Sequence, residues 1–391
     1  MKRSICKSHP WIIFELDLRR LQPRHWLMLG ECSSRIQEII GIPLAPSLEE
    51  RLNRVYVSRG LRGTAAIEGN TLTQEQVELR LEGRLELPQS EEYLGREIDN
   101  LARAYGLVSA GIRKSVRAPI TEERIKEFNR LILEKIPVEP EVVPGEYAHR
   151  QHGVGTYRAP PPTAIRNLLM PAYVDWIASI DQQSAGGSRF ALPILHAILA
   201  HLYLAWIHPF GDGNGRTARI VEADLLARAG VPEISYHLLS SYYNQTRIEY
   251  YRVLRRTSAT PAGDPFIFID YALSGLDDGL RQQLGAIKLQ HREIMWRDFI
   301  YEHFRDLNSP RFVRLRRIAM DLAKLNDPVR KEDLRAISPR VAESYAGKTM
   351  KTATRDVRDL MRRKLIRREG EGFVANVDLL LAFVPPSRVV D

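Results

Sequence analysis

The chain has 391 residues, 44% of them hydrophobic and 27% charged, with a formal net charge of +9. This composition excludes disordered and collagen-like chains and gives room for two or three globular domains, and the positive balance hints mildly at an acidic partner. Two cysteines, Cys6 and Cys32, exclude a disulfide-rich secreted scaffold; no apolar run approaches the ~20 residues of a membrane span, and the residues after Met1-Lys2-Arg3 lack the long apolar stretch of a signal peptide, so a cytoplasmic protein without a membrane partner is expected.

Residues 1–100 make a first region. Trp11 to Leu18 (WIIFELDL) reads as a short strand, and helices are expected around Trp26–Ile40 and Leu48–Ile67. Glu68 is followed by Gly69, a residue that commonly ends helices. Thr73 with Gln76 three residues on forms a capping box that opens a new helix. A second region, 101–290, is mostly amphipathic helix, with Thr121 capping a segment that runs to about Lys135. Pro144 to Arg158 is the exception. It is turn-rich with β-capable pieces, precedes Pro160-Pro161-Pro162, and reads as a hairpin with a glycine-containing turn. Gln182–Ser188 reads as a flexible loop between helices.

Residues 300–391 differ in composition, with strongly basic stretches at Arg311–Arg317 and Lys348–Arg368. Pro328 to Leu334 looks like a helix start. Thr349 to Lys364 has periodic Ala353, Val357, Leu360 and Met361, and Leu365 to Ala375 alternates about Gly370-Glu371-Gly372 as a hairpin does. Helix, helix, basic helix, hairpin is the order of a winged helix, which would present Lys348, Lys351, Arg355 and Arg358 to DNA. The alternative is an interaction or dimerisation module with a solvated basic face. The sequence is compatible with a monomer or a homo-oligomer.

The most informative run is His208-Pro209-Phe210-Gly211-Asp212-Gly213-Asn214-Gly215-Arg216-Thr217-Ala218-Arg219, between the apolar helical stretches Ile194–Ile207 and Ile220–Ala229. A glycine-rich turn feeding a helix N-terminus is a phosphate cradle, because free backbone N–H groups and the positive helix end face the anion. Gly213 and Gly215 allow close backbone approach, Asn214 adds an amide donor, and Asp212 is a hard oxygen ligand suited to Mg²⁺. Arg216 and Arg219 share a helix face and suit phosphate oxygens, and His208 can accept a proton near neutral pH. A P-loop does not fit, since Arg rather than Lys follows the last glycine; a zinc helix does not fit, since His196, His201 and His208 are spaced by five and seven.

HPFGDGNGRTAR is similar to the signature of Fic-domain proteins, H-[PA]-F-x-[DE]-G-N-G-R-x-x-R, at every defined position. The resemblance implies a mainly α fold, a Fic-type helical bundle with a β-hairpin flap, here with a C-terminal winged-helix-like domain. It implies transfer of AMP from ATP to a Ser, Thr or Tyr hydroxyl of a protein target, the chain itself included. His208 would deprotonate the target, Asp212 would hold Mg²⁺, Gly213, Asn214 and Gly215 would form the anion hole, and Arg216 and Arg219 would bind the distal phosphates. Thr64-Ala65-Ala66-Ile67-Glu68-Gly69 resembles the family's inhibitory motif [ST]-x-x-x-E-[GN], which implies that Glu68 pairs with Arg219 and leaves ATP unproductive. The hairpin at 144–158 resembles the family's flap, which clamps the target's side chain. Tyr251, with Tyr250 as the alternative, matches a tyrosine that packs on the adenosine, the other tyrosine then having a core role, whereas Ser258 stands where relatives often place an adenine-contacting Asn. Removal of AMP by the same site, and a DNA-binding regulator with a nucleotide-sensing core, are the alternative functions.

Overall fold

The computed structural model describes residues 5–44, 46–113, 119–183, 189–259, 263–325 and 327–383. Local signals in the sequence start most of the elements. Helix α1 (Pro23–Gly41) has proline at its first position and buries the stripe Leu29, Cys32, Ile36 and Ile39. Helix α2 is Pro46–Ile67. Helix α3 (Gln74–Leu81) opens on the expected capping box: Thr73 Oγ1 accepts from the Gln76 N–H and Gln76 Oε1 from the Thr73 N–H. After α4 (Glu92–Arg113), Thr121 caps α5 (Glu122–Ile132), which buries Ile125, Phe128, Asn129 and Ile132 on one face. This helix stops three residues short of Lys135, which adopts a left-handed backbone with φ 55°.

Two short strands, β1 (Gly153–Val154) and β2 (Tyr157–Arg158), pair antiparallel, with Gly155 in the turn at φ 57°. The expected hairpin is therefore present but confined to the last six residues of the 144–158 stretch. Helix α6 (Pro162–Ala164) runs through a π turn at Ile165–Leu169 into α7 (Met170–Gln183). Of the expected loop at Gln182–Ser188, residues 184–188 lie outside the described residues. Helix α8 (Ala191–Ile207) is apolar on every side, a pattern that is stable only when enclosed, and nearly all of it is buried. It packs along α9 (Asn214–Arg228), which is buried from Arg216 to Ala227. Helices α10 (Glu233–Tyr236), α11 (Leu238–Gln245), α12 (Arg247–Ala259) and α13 (Pro265–His303) follow.

Trp11–Leu18 is not a strand. Phe14 has φ 50°, which breaks an extended run, and its ring packs 4.9 Å from Tyr203 and beside Tyr173 and Trp176, so its partners are helices rather than a sheet edge.

The chain divides into two compact units, Met1–Leu284 and Gly285–Asp391. The second has its own core, in which Trp296, Ile300 and Phe304 meet Leu315, Ile318, Leu322, Val341, Val357, Leu360 and Ile366. Its elements are α14 (Pro310–Leu322), a 3₁₀ turn at Asp333–Ala336, α15 (Pro339–Ser344), α16 (Met350–Arg362), β3 (Ile366–Glu369) and β4 (Gly372–Ala375). The hairpin register runs from Ile366↔Ala375 to Glu369↔Gly372, and Val329 adds a bridge to Phe373. Helix α16 sorts its charges by face. Asp356 is buried against Arg314 Nε (2.7 Å) and the Tyr345 hydroxyl (2.9 Å), and Asp359 meets Arg311 (2.8 Å), whereas Lys351, Arg355 and Arg358 are exposed. No helix among the described residues is long and apolar enough to cross a membrane.

Candidate active site

The site is built where α8 gives way to α9. Helix α8 ends as His208 turns left-handed (φ 50°, ψ 59°), its N–H still bonded to the Leu204 carbonyl at 2.9 Å. Few non-glycine residues adopt this conformation, which re-aims the chain within one residue. His208 Nδ1 lies 3.3 Å from the Ala205 carbonyl. A carbonyl only accepts, so Nδ1 carries the proton and Nε2 keeps its lone pair. Burial lowers the imidazole to about 4, and His152 nearby adds to the effect. His208 is thus neutral at physiological pH, with the Nε2 lone pair able to accept a proton.

The loop that follows is braced by its own asparagine. Asn214 accepts from the Phe210 N–H (2.9 Å) and donates to the Phe210 carbonyl (2.7 Å), so its amide fixes the turn. Gly213 enters α9 at φ 77°. A Cβ there would come within 2.9 Å of Asn129 Nδ2, which donates to the Asp212 carbonyl at 2.9 Å. The first-turn N–H groups of α9 have no intrahelical acceptor, which leaves a cradle for an anion.

Glu68 and Arg219 meet over this cradle, 151 positions apart in sequence. Arg219 Nη2 donates to Glu68 Oε1 at 2.6 Å and to the Thr64 carbonyl at 3.1 Å, so one guanidinium holds both the carboxylate and the end of α2. A Cβ on Gly215 would come within 2.5 Å of Glu68 Oε1; the glycine makes the room that the carboxylate occupies. Burial pushes the Glu68 carboxyl up, but the charges of Arg219 and Arg216 and the Arg219 hydrogen bond outweigh it and hold it below the ordinary carboxylate range. Arg219 itself has a fully buried side chain whose Nε and Nη1 have no hydrogen-bond partner among the described residues, which is costly unless an anion completes them.

Arg216 is nearby but differently engaged. Its Nη1 meets Glu97 Oε1 at 2.6 Å and its Nη2 meets Asp212 Oδ1 at 3.0 Å. Asp212 is 41% exposed, and Oδ1 also accepts from the Gly213 N–H, while Oδ2 has no hydrogen-bond partner among the described residues. An open carboxylate oxygen beside a phosphate cradle fits Mg²⁺, which usually takes one or two carboxylates and completes its shell with substrate phosphates and water. No group of three or more His, Cys, Asp or Glu side chains that could hold a metal ion occurs among the described residues.

Tyr251 is 38% exposed and donates to the Ile67 carbonyl at 3.2 Å, next to Glu68. Tyr250 points the other way, into a buried cluster where its hydroxyl lies 2.9 Å from His201 Nε2 and Glu222 accepts from Tyr243. His201 belongs to this polar cluster, its Nδ1 3.2 Å from Glu222, while His196 lies edge-on to Trp176 and burial lowers it to about 4. Ser258 bonds only its own helix, at the Arg255 carbonyl. The hairpin brings His152 to the site, its ring centroid 5.3 Å from that of His208. Sequence reasoning did not single out Glu97, Asn129 or His152. Each acts through partners distant in the chain; only the burial of a polar residue on an otherwise apolar stripe, as at Asn129, gave any signal.

A helical core with a histidine, an anion cradle and a clamped arginine defines the class found by comparison: residues 119–226 match the Fic/DOC family model. The chain is thus similar to the Fic/DOC family over this stretch. It is 27% identical over 231 residues to the protein adenylyltransferase Fic of Nematostella vectensis, covering 59% of this chain and 50% of that protein. It is 31% identical over 245 residues to the protein adenylyltransferase Fic of Drosophila melanogaster, covering 62% and 44%. The chain therefore spans about half the length of these curated relatives. A Fic family protein from Desulfovibrio desulfuricans G20 shares the fold over 91% of this chain and 96% of its own, with TM-score 0.54 and 21% identity. A Fic domain containing signaling protein from Bacteroides thetaiotaomicron does so over 67% and 98%, with TM-score 0.53 and 23% identity.

Proposed function

We propose that the protein is an autoinhibited protein adenylyltransferase, transferring AMP from ATP to a Ser, Thr or Tyr hydroxyl of a protein, itself included. The observation that carries this reading is the Glu68–Arg219 contact over the α9 cradle, with the neutral His208 beside it. Nε2 of His208 takes the proton of the acceptor hydroxyl as its oxygen attacks the α-phosphorus; the bond to the bridging oxygen breaks, and pyrophosphate leaves. The α9 N–H groups hold the phosphates, and Arg219, once released by Glu68, binds the distal ones. A magnesium ion held by Asp212 would neutralise phosphate charge. The hairpin presents the acceptor from the His152 side, and the exposed Tyr251 faces the nucleoside. Phosphate-transfer chemistry of this kind rests on positioning and charge neutralisation.

Glu68→Gly protein incubated with Mg·ATP should become labelled from the α-phosphate and not from the γ-phosphate, at a rate at least tenfold above wild type. Equal labelling of the two proteins would remove the autoinhibition, and γ-labelling would replace adenylyl transfer by phosphoryl transfer.

A second reading concerns the C-terminal unit alone. The element order of α14, α15, α16 and the β3–β4 hairpin supports a winged-helix-like domain. The exposed Lys348, Lys351, Arg355 and Arg358, which make no ion pair among the described residues while Asp356 and Asp359 are buried, support duplex DNA as its partner. A salt-dependent shift of random duplex DNA would support it; no binding at low salt would remove it.

A further inference from the structure

We propose that Glu97 is a positioning residue of the site: it takes up the charge of Arg216 and so leaves the Asp212 carboxylate for a divalent cation. The inference rests on the adenylyltransferase reading only in taking that cation to be the nucleotide's.

Arg216 is 5% exposed and lies between two carboxylates. The shorter contact is to Glu97, 2.6 Å against 3.0 Å for Asp212. Glu97 is held from its other side, where Asn70 Nδ2 donates to Oε2 at 2.8 Å. Asn70 is in turn fixed, donating to the Leu94 carbonyl at 3.0 Å and accepting from the Leu72 N–H at 3.0 Å. The arrangement is therefore a built one: a buried carboxylate with a donor on each oxygen, facing a buried guanidinium.

Charge counting gives its consequence. One guanidinium between two carboxylates leaves one negative charge in surplus. Glu97 is buried and committed to Arg216, while Asp212 is the exposed member with a free oxygen. The surplus therefore sits where a cation can reach it. Without Glu97, Arg216 would pair with Asp212 alone, and a neutralised carboxylate is a poor ligand for a hard cation. Partners behind a metal ligand commonly tune affinity by ~10–100-fold.

Manganese binding in the presence of ATP, followed by electron paramagnetic resonance on the full chain carrying Glu68→Gly and His208→Ala, tests this without turnover. Added Glu97→Gln should weaken manganese binding by about tenfold or more while leaving the affinity for metal-free ATP within about threefold. Unchanged manganese binding in Glu97→Gln overturns the proposal, as does an equal loss of metal-free ATP affinity, since that would mark a packing role. If Glu97→Gln does not fold, as judged by thermal melting, Asn70→Ala, which removes the donor that holds Glu97, decides: weaker manganese binding supports the proposal and unchanged binding overturns it. Transfer is read separately with His208 intact. A Glu97-dependent manganese site without AMP transfer would count against the adenylyltransferase reading and not against Glu97.

Discussion

The first turns of α9 and the exposed face of α16 both carry two arginines three residues apart, Arg216 and Arg219 in one, Arg355 and Arg358 in the other. In α9 they are buried, and each is met by a carboxylate from another helix or its C-terminal end, Glu97 and Glu68. In α16 Asp356 and Asp359 are buried and meet Arg314 and Arg311, Asp359 also holds Arg362, and Arg355 and Arg358 are exposed. The same spacing therefore means different things. A buried arginine is a poised ligand whose use depends on removing or balancing its partner; an exposed one contributes a screened field that any polyanion can use.

The contrast predicts where substitutions will be felt. The largest effect falls on the base: in the Glu68→Gly protein, adding His208→Ala should lower transfer by ~10²–10⁴-fold while leaving the melting temperature close to that of its parent. Transfer that survives would move the base elsewhere. Next is the internal ion pair of the second unit. Asp356→Ala leaves Arg314 buried without its partner and should cost about 3–5 kcal/mol by denaturant unfolding, whereas Arg358→Ala on the opposite face should cost under about 0.5 kcal/mol. Equal costs would erase the distinction between the two faces of α16.

The pH dependence sharpens the other half of the comparison. Burial holds His208 near 4 rather than near its ordinary value, so its protonated fraction is already small at pH 6 and falls further as pH rises. The kcat/KM of Glu68→Gly protein, which reports the free enzyme, should be flat on the acid side down to about pH 5.5. An acid limb centred near 6.5 would mean an exposed histidine. For Glu68 the sign is that of a depressed carboxyl: the clamp on Arg219 is complete above the ordinary carboxylate value and weakens as pH falls through the lowered one. The smallest effect concerns the exposed arginines. If α16 meets DNA, Arg355→Ala should weaken binding evenly across sequences and reduce the salt slope by about 1.

What the sequence made legible was local. Thr73 with Gln76 and Thr121 start their helices where expected, because a cap involves residues three apart. The His208–Arg219 run could be read for the same reason, since the residues proposed as cradle, base and metal ligand lie within twelve positions. Glu68 became readable only through the resemblance, because its partner is 151 residues away, and Glu97, 119 residues from Arg216, gave no signal at all. Trp11–Leu18 misled because a short apolar run marks residues to be buried without saying what they pack on; here it was helices. The division of labour between Tyr250 and Tyr251 is also tertiary. Adjacent tyrosines on a helix point about 100° apart, and only the packing of α12 decides which is buried.

Intact mass spectrometry reads whether a restrained base and cradle await release of Arg219. Glu68→Gly protein is incubated with Mg·ATP and compared with wild type and with Glu68→Gly/His208→Ala. A mass gain of AMP is expected in Glu68→Gly alone. No gain in any protein, or an equal gain in wild type, would contradict it.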